Sequence, residues 1–426
     1  TSSLVGSEMC IRDRSNYIYV KTLIALKDND TAITCGIEAI KKYKAEYQSM
    51  YVSLLCGMLL EIINPISKPI QYFKILFLQA DIWLESVNIS EAEKLFDKAY
   101  KMIMEKYFLI DSKDITHFFH RYVNQKLHTL QYDKAIEILK RFEKLEGLTS
   151  NVSLIINDRY CVAFYSLGME KDALEKIDKV INSANIQKNN TWLSIAYSDK
   201  AFTHFFNSRD IAKIVLYFKK AISYFEKSNE KDSISRNIEI SLQSAIVHIL
   251  ENNNQKAINC IQKAIHIAEK NVHGYLLIPS FNIYAYALIL QGEIEDAIDK
   301  LKKGLSYANI YSNEKALISI YNNLGNIYAE KHIYSQELEY YKASYQVLKN
   351  QCSPSNSLRY QSLICNIIKL SVLLNDEEMI NELRSNYKFD GLENLVVFYQ
   401  HSKNQEDVMD CNCGILGHGG WTYLYY

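Results

Sequence analysis

Asn322 and Asn326 stand one helical turn apart in the stretch NNLGN. An amide side chain offers one acceptor and two donors. Two amides on one helix face can therefore grip the N–H and C=O groups of an extended peptide main chain. Asn282 and Tyr286 repeat this spacing, as do His120 and Asn124. Asp158 and Ser198 fall at equivalent places, with Asp199 as the alternative to Ser198 because the register there is uncertain by one residue. Tyr286 would add apolar contact that selects side chains, whereas Tyr328 reads as core. Charge near these positions is mixed, with Arg121 and Arg159 beside the acids. That differs from the purely basic clamp that would hold a C-terminal carboxylate.

Other reactive residues carry less. His117 and His120 in THFFHR have the i, i+3 spacing of a metal pair, but no third ligand accompanies them, so they read as structural. Cys411, Cys413 and His418 in the terminal stretch DCNCGILGHGGWTYLYY make a weak metal pattern. There is no Gly-rich phosphate loop, no nucleophile elbow and no HExxH. We therefore expect no enzyme activity and no cofactor. Phe202, Phe205 and Phe206, and Tyr217, Phe218, Tyr224 and Phe225, recur at helical spacing and read as core. Lys300, Lys302 and Lys303 read as a solvated helix face.

Composition bounds the function class. The 426 residues are 48% hydrophobic and carry a net charge of -1. A large core is available, and no global basic field draws in nucleic acid. Pro (4) and Gly (14) are scarce, which suits nearly continuous helix. The nine Cys show no disulfide spacing through the body of the chain, so they read as small buried hydrophobes in a reducing, cytoplasmic compartment. No apolar run reaches the roughly 18 residues of a membrane span. The run from Met50 to Ile63 is shorter and is broken by Glu61. Abundant Ile, Lys, Asn and Tyr point to AT-rich codons and a low-GC bacterium.

The elements that must position these residues repeat. Nine times a helix-length segment ends in a short polar turn and a second helix begins around a small or apolar residue. These positions are Ala32, Ala92, Ala135, Ala173, Ile214, Ala257, Ala297, Glu337 and Met379. From Ala92 onward the spacing runs from 38 to 43 residues. The longer first step leaves room for an extra helix at about Gln48 to Ile63, after which Asn64-Pro65 and Lys68-Pro69 break the chain. Twelve residues before the anchor lies the small position of the first helix: Ala80, Cys161, Ala245, Ala285 and Gly325 in the better units. A large residue usually follows three later, as at Trp83, Phe164, Leu288 and Tyr328. Apolar or small residues follow the anchor at four and seven, as at Phe96 and Ala99 or Ile261 and Ala264. Helices approach closely only where side chains are small, and the large residues fill the grooves beside them.

This pattern resembles the tetratricopeptide repeat family, most clearly in YNNLGNIYAEKHIYSQELEYYKASYQVL, Tyr321 to Leu348. The resemblance runs from about Tyr17 to Arg384. It implies an all-α fold, a right-handed α-solenoid of helix pairs with a period near 40 residues. The family's minimal period is about 34, and a HEAT-type array, of period about 40–47, is the rival. HEAT units lack the small-position pair. Within the resemblance, the first helix of each pair lines a concave groove, and the positions three before and one after the small residue point into it. That is where the candidate residues lie.

The expected organisation has five parts. Residues 1–14, TSSLVGSEMCIRDR, resemble a translated sequencing-library adapter. If so, the natural protein continues upstream. Residues 15–78 hold N-terminal helices with one degenerate repeat, 79–385 the solenoid, 386–405 a capping helix at about Gly391 to Ser402, and 406–426 a flexible Gly, Cys and aromatic tail. The tail also reads as a processed peptide, an assembly error or a segment that folds into the groove.

The long units and the NNLGN stretch resemble the peptide-pheromone receptors of Gram-positive bacteria. That resemblance implies a short signalling peptide or partner segment in the groove, a cytoplasmic regulator, possible homodimerisation, and contact with DNA only through a helix-turn-helix domain upstream of residue 15. A generic scaffold or co-chaperone is a second expectation. A response-regulator phosphatase with an N-terminal helical bundle is a third, although no catalytic Gln stands out between Tyr17 and Leu78.

Overall fold

The computed structural model describes residues 15–45, 49–85, 89–106, 111–145, 150–230, 232–271, 274–311, 313–349 and 358–386. Every regular element among them is an α-helix. The helices are α1 (15–25), α2 (Asn29–Ala45), α3 (Ser49–Ile62), α4 (Pro69–Glu85), α5 (Ile89–Lys106), α6 (Ser112–His128) and α7 (Tyr132–Phe142). They continue as α8 (Ser150–Ser166), α9 (Glu170–Ile186), α10 (Asn190–Phe206), α11 (Ile211–Glu226), α12 (Ile234–Leu250) and α13 (Asn254–Lys270). The last are α14 (Gly274–Ile289), α15 (Ile294–Ile310), α16 (Glu314–Glu330), α17 (Tyr334–Lys349), α18 (Leu358–Leu373) and α19 (Glu377–Asn386). None of those described is long and apolar enough to cross a membrane. The expected cap at Gly391 to Ser402, the tail and residues 1–14 lie outside the described residues.

Two compact units divide the chain, Thr1–Gln125 and Lys126–Tyr426. In the first, the irregular step of the repeat is the helix α3, as its length requires. Asn64 Oδ1 accepts from the Ile66 amide at 2.8 Å, closing the turn ahead of α4. Pro69 opens that helix, where the missing N–H would have no intrahelical partner anyway. The core of this unit is aromatic. Phe118 meets Phe77 edge-on at 5.4 Å, and Phe96 stacks on Tyr122 at 5.7 Å.

The second unit is a stack of helix pairs: α8 with α9, α10 with α11, α12 with α13, α14 with α15, α16 with α17, and α18 with α19. Each second helix also packs on the first helix of the next pair. The buried side chains join along the stack, with Ala173, Ile177, Ala196, Phe218, Ala245 and Ala264 in one continuous cluster.

The turn inside each pair has one recurring conformation. A residue in the left-handed region stands at Gly168, Arg209, Asn252, Gly292, His332 and Asn375, and in the same place at Lys27 and Leu130. At most of these the following amide reaches back to a carbonyl of the last helical turn. Met169 N bonds Phe164 O at 2.9 Å, Asn253 N bonds His248 O at 2.7 Å, and Ile333 N bonds Tyr328 O at 2.9 Å. This is the Schellman closure, which satisfies carbonyls that a helix end leaves unpaired. Only two of the eight positions are Gly, so the turn is held by what packs around it and by these bonds.

Five residues after the left-handed residue the second helix meets the first. Ala32, Ala135, Ala173, Ile214, Ala257 and Ala297 occupy that joint with no exposed surface, and Glu337 is 8% exposed. The last pair departs from the sequence spacing. Its left-handed residue is Asn375, which moves the joint from Met379 to Ile380; both are buried. On the facing helix the small position is equally tight. A Cβ on Gly325 would lie 2.6 Å from Tyr341 Cε1, and the Tyr341 ring is itself buried. Gly325→Ala should therefore destabilise the protein by about 1–3 kcal/mol through overpacking. Urea titration of both proteins measures this, and an unchanged midpoint would show that the α16–α17 joint is looser than described.

Candidate functional site

The first helices of the second unit carry polar residues on the side they present to one another. Asp158 on α8, Ser198 and Asp199 on α10, Gln243 on α12, Asn282 on α14 and Asn323 on α16 are all buried. They lie about one repeat apart and bond from helix to helix. Ser198 Oγ donates to Gln243 Oε1 at 3.0 Å, and Asn323 Nδ2 donates to Asn282 Oδ1 at 2.8 Å. A buried amide without partners costs about 1–3 kcal/mol, so pairing across neighbouring helices is what permits this polar row.

One end of the row is charged. Arg159 Nε donates to Asp158 Oδ2 at 2.9 Å. Burial opposes the charge on Arg159, but Asp158 and then Asp199 hold its guanidinium above the ordinary range. Burial, and next to it the Asp158 carboxylate, push the Asp199 carboxyl well above the usual range. Two carboxylates this close cannot both ionise freely. The carboxyl groups of Asp199 and Asp158 are in hydrogen-bond contact with each other. Arg236 at the start of α12 completes the group. It bonds Glu239 Oε2 at 2.5 Å and Ser194 Oγ at 3.1 Å.

The other end is neutral. Asn326 is 3% exposed, and its Oδ1 accepts from the Tyr341 hydroxyl at 2.6 Å. Its Nδ2 is buried with no acceptor. Asn322, one turn earlier, is half-buried. Tyr286 is half-buried too, and burial raises its phenol.

The structure thus corrects the expected orientation of several residues. Asp158, Asp199, Asn282 and Asn326 were placed on an open groove surface by their offsets, and they are buried between helices instead. For Asp158, Asp199 and Asn282 the reason is the close approach of successive first helices, which turns a polar face into a shared interface; Asn326 is bonded within its own pair, to Tyr341 of α17. Ser198 and Asp199 do not exchange roles. Ser198 bonds forward to α12, while Asp199 sits beside Asp158 on α8. Sequence offsets missed Gln243, because α12 is shifted by one residue and Leu242 holds the formal position. They also passed over Asn323, whose only signal was its place between two other candidates in NNLGN.

His120 and Asn124 belong to the first unit. They are half-buried on α6, with Asn124 Nδ2 3.4 Å from His120 Nε2. His117 meets the Phe77 ring edge-on at 5.1 Å, in keeping with a structural role. Arg121 is paired with Asp81. Cys161 is buried, and burial pushes its thiol well up, as suits a packing residue. Cys411, Cys413 and His418 lie outside the described residues. Among the described residues no three His, Cys, Asp or Glu side chains converge as a metal site would need.

No protein-family model matches the sequence, and no curated protein matches it. Solved structures do share the fold. The Rap conjugation gene regulator of plasmid pLS20, in complex with the Phr* peptide, is 15% identical with a TM-score of 0.56, covering 78% of this chain and 96% of that one. A Rap protein complexed with Competence and Sporulation Factor is 13% identical with a TM-score of 0.52, covering 80% and 98%. Aspartyl phosphate phosphatase F from Bacillus subtilis is 15% identical with a TM-score of 0.50, covering 81% and 95%. At this identity the likeness establishes the helix-pair solenoid fold.

If the polar row is held as described, Asn323→Ala leaves Asn282 Oδ1 without its donor. We expect a loss of about 1–3 kcal/mol. A double-mutant cycle with Asn282→Ala, read by urea denaturation, should give a coupling of about 0.5–3 kcal/mol. Strict additivity would mean that the two amides do not pair.

Proposed function

We propose that the first-helix faces of the second unit hold an extended peptide segment, through main-chain hydrogen bonds to Asn322, braced by Asn326, and apolar contact at Tyr286. The observation that carries this reading is the half-buried pair Asn322 on α16 and Tyr286 on α14. Asn326, one turn on from Asn322, is buried with its amide oxygen held by Tyr341, and braces the α16 face from behind. Asn282, Asp158 and Asp199 act from behind this face. They would set the spacing of successive helices and the charge at the far end, and so shape the face that Asn322 presents. The fold likeness supports the reading, since one of the similar structures is a complex with the Phr* peptide and another a complex with Competence and Sporulation Factor.

In its fuller form the reading makes this chain the sensor region of a cytoplasmic bacterial regulator. Peptide binding changes the stacking of helix pairs, and so the activity of an effector such as a helix-turn-helix DNA-binding domain, in a chain that can also pair with a second copy. A phosphatase-type regulator is the second reading. It is favoured by a fold match that spans 95% of aspartyl phosphate phosphatase F. Release of phosphate from an aspartyl-phosphorylated response regulator, measured with the full chain, separates the two.

The peptide reading is tested by selecting short synthetic peptides on the full chain and measuring their affinity by calorimetry. Asn322→Ala should weaken binding by about 1 kcal/mol, or roughly fivefold in Kd. Unchanged affinity in this variant would refute the backbone grip.

A further inference from the structure

Glu337 stands where the neighbouring pairs carry no charge. The joint residues Ala135, Ala173, Ile214, Ala257 and Ala297 are completely buried. Glu337 takes the same place in α17 and is only 8% exposed. Close helix packing tolerates Ala there because it brings neither bulk nor charge. An ionised carboxylate in that position must be solvated or paired, and the means for either are few.

The charged and titratable groups around Glu337 are known from each side. From α18 the Lys369 ammonium acts on it and favours its ionised form. On its own helix Tyr341, one turn on, lies within reach of its charge. Among the described residues no titratable group of α16 acts on it. What α16 brings to this joint is Gly325, against the Tyr341 ring, and Asn326, which accepts the Tyr341 hydroxyl. The charge of Glu337 acts on Tyr341, and Tyr341 bonds Asn326, which links the joint to the α16 face that carries Asn322.

We propose that Glu337 makes the α16–α17 pair a proton-operated joint, closed while its carboxyl is neutral and loosened when it ionises, so that the Asn322–Asn326 face is ordered only in the closed state. Burial, opposed by Lys369, pushes the Glu337 carboxyl from an ordinary value of 4.5 to about 7. The folded pair keeps this proton up to about pH 7, whereas an unfolded chain releases it at its ordinary, lower pKa. Stability from this group is therefore complete below the unfolded value, declines as pH rises, and is lost once pH passes about 7. Two other carboxyls of α16 move the same way. Burial lifts Glu314 to about 7 and raises Glu330, so single variants are needed to assign the response.

Hydrogen exchange on the full chain, read by mass spectrometry, tests the joint directly. Between about pH 5.5 and pH 8, after correction for base-catalysed exchange, opening of α16–α17 should increase on the order of 10- to 100-fold while α12–α13 stays constant. Glu337→Gln, which keeps the shape and removes the charge, should abolish most of that change. Glu337→Ala, which restores the residue of the other joints, should keep the pair closed at both values. Glu314→Gln should retain the response. A pH response that persists in Glu337→Gln, or its absence from the unaltered protein, overturns the proposal. Only the consequence for the Asn face rests on the peptide reading. If selected peptides bind equally at both pH values while exchange responds, the joint stands and its link to the grip fails. If no peptide binds at all, the peptide reading fails and the exchange result is untouched.

Discussion

Everything in this fold depends on two helices meeting where a side chain is small. A tight turn with one left-handed residue sends the chain back, and five residues later the second helix presses Ala, less often Ile and in one pair Glu337, against the first. The turn and the joint are a single device. The Schellman bonds settle the helix end, and the small residue sets how near the axes come. Because the device recurs about every 40 residues, each pair offers the same faces to the next, and a stack follows without long-range instructions.

The cost of that closeness appears on the first helices. Their polar residues face neighbours rather than water, so each needs a partner on the adjacent helix. Ser198 with Gln243 and Asn282 with Asn323 meet that need with neutral bonds. Asp158 and Asp199 meet it with each other and with Arg159. Such a row gives register as well as polarity, since sliding one helix along another would strand several groups at once. The row ends near Asn326, whose amide oxygen Tyr341 holds, in the same pair that carries Glu337 at its joint.

Much of the fold was legible. The nine anchors, the small positions facing them, the inserted helix α3 and the breaks at Pro65 and Pro69 all follow from spacing and residue size, because helix packing is a local geometric rule. Only the last anchor slipped, from Met379 to Ile380, where a one-residue change in the turn is invisible among neighbouring apolar residues. The candidate site was legible in part. Offsets from the small position found Asp158, Ser198, Asn282 and Asn326 as one related set. They did not show that these residues are buried, nor that Gln243 and Asn323 belong with them.

The sequence by itself determined the repeat, its period and the face on which polar residues gather, since those depend on which side chains can fit at a helix contact. Tertiary structure alone decided what that face meets. Whether an amide at a given offset looks into solvent or into the next helix depends on how closely successive first helices approach. That distance is set by the whole joint, including a buried carboxyl at Glu337, and no single residue type encodes it.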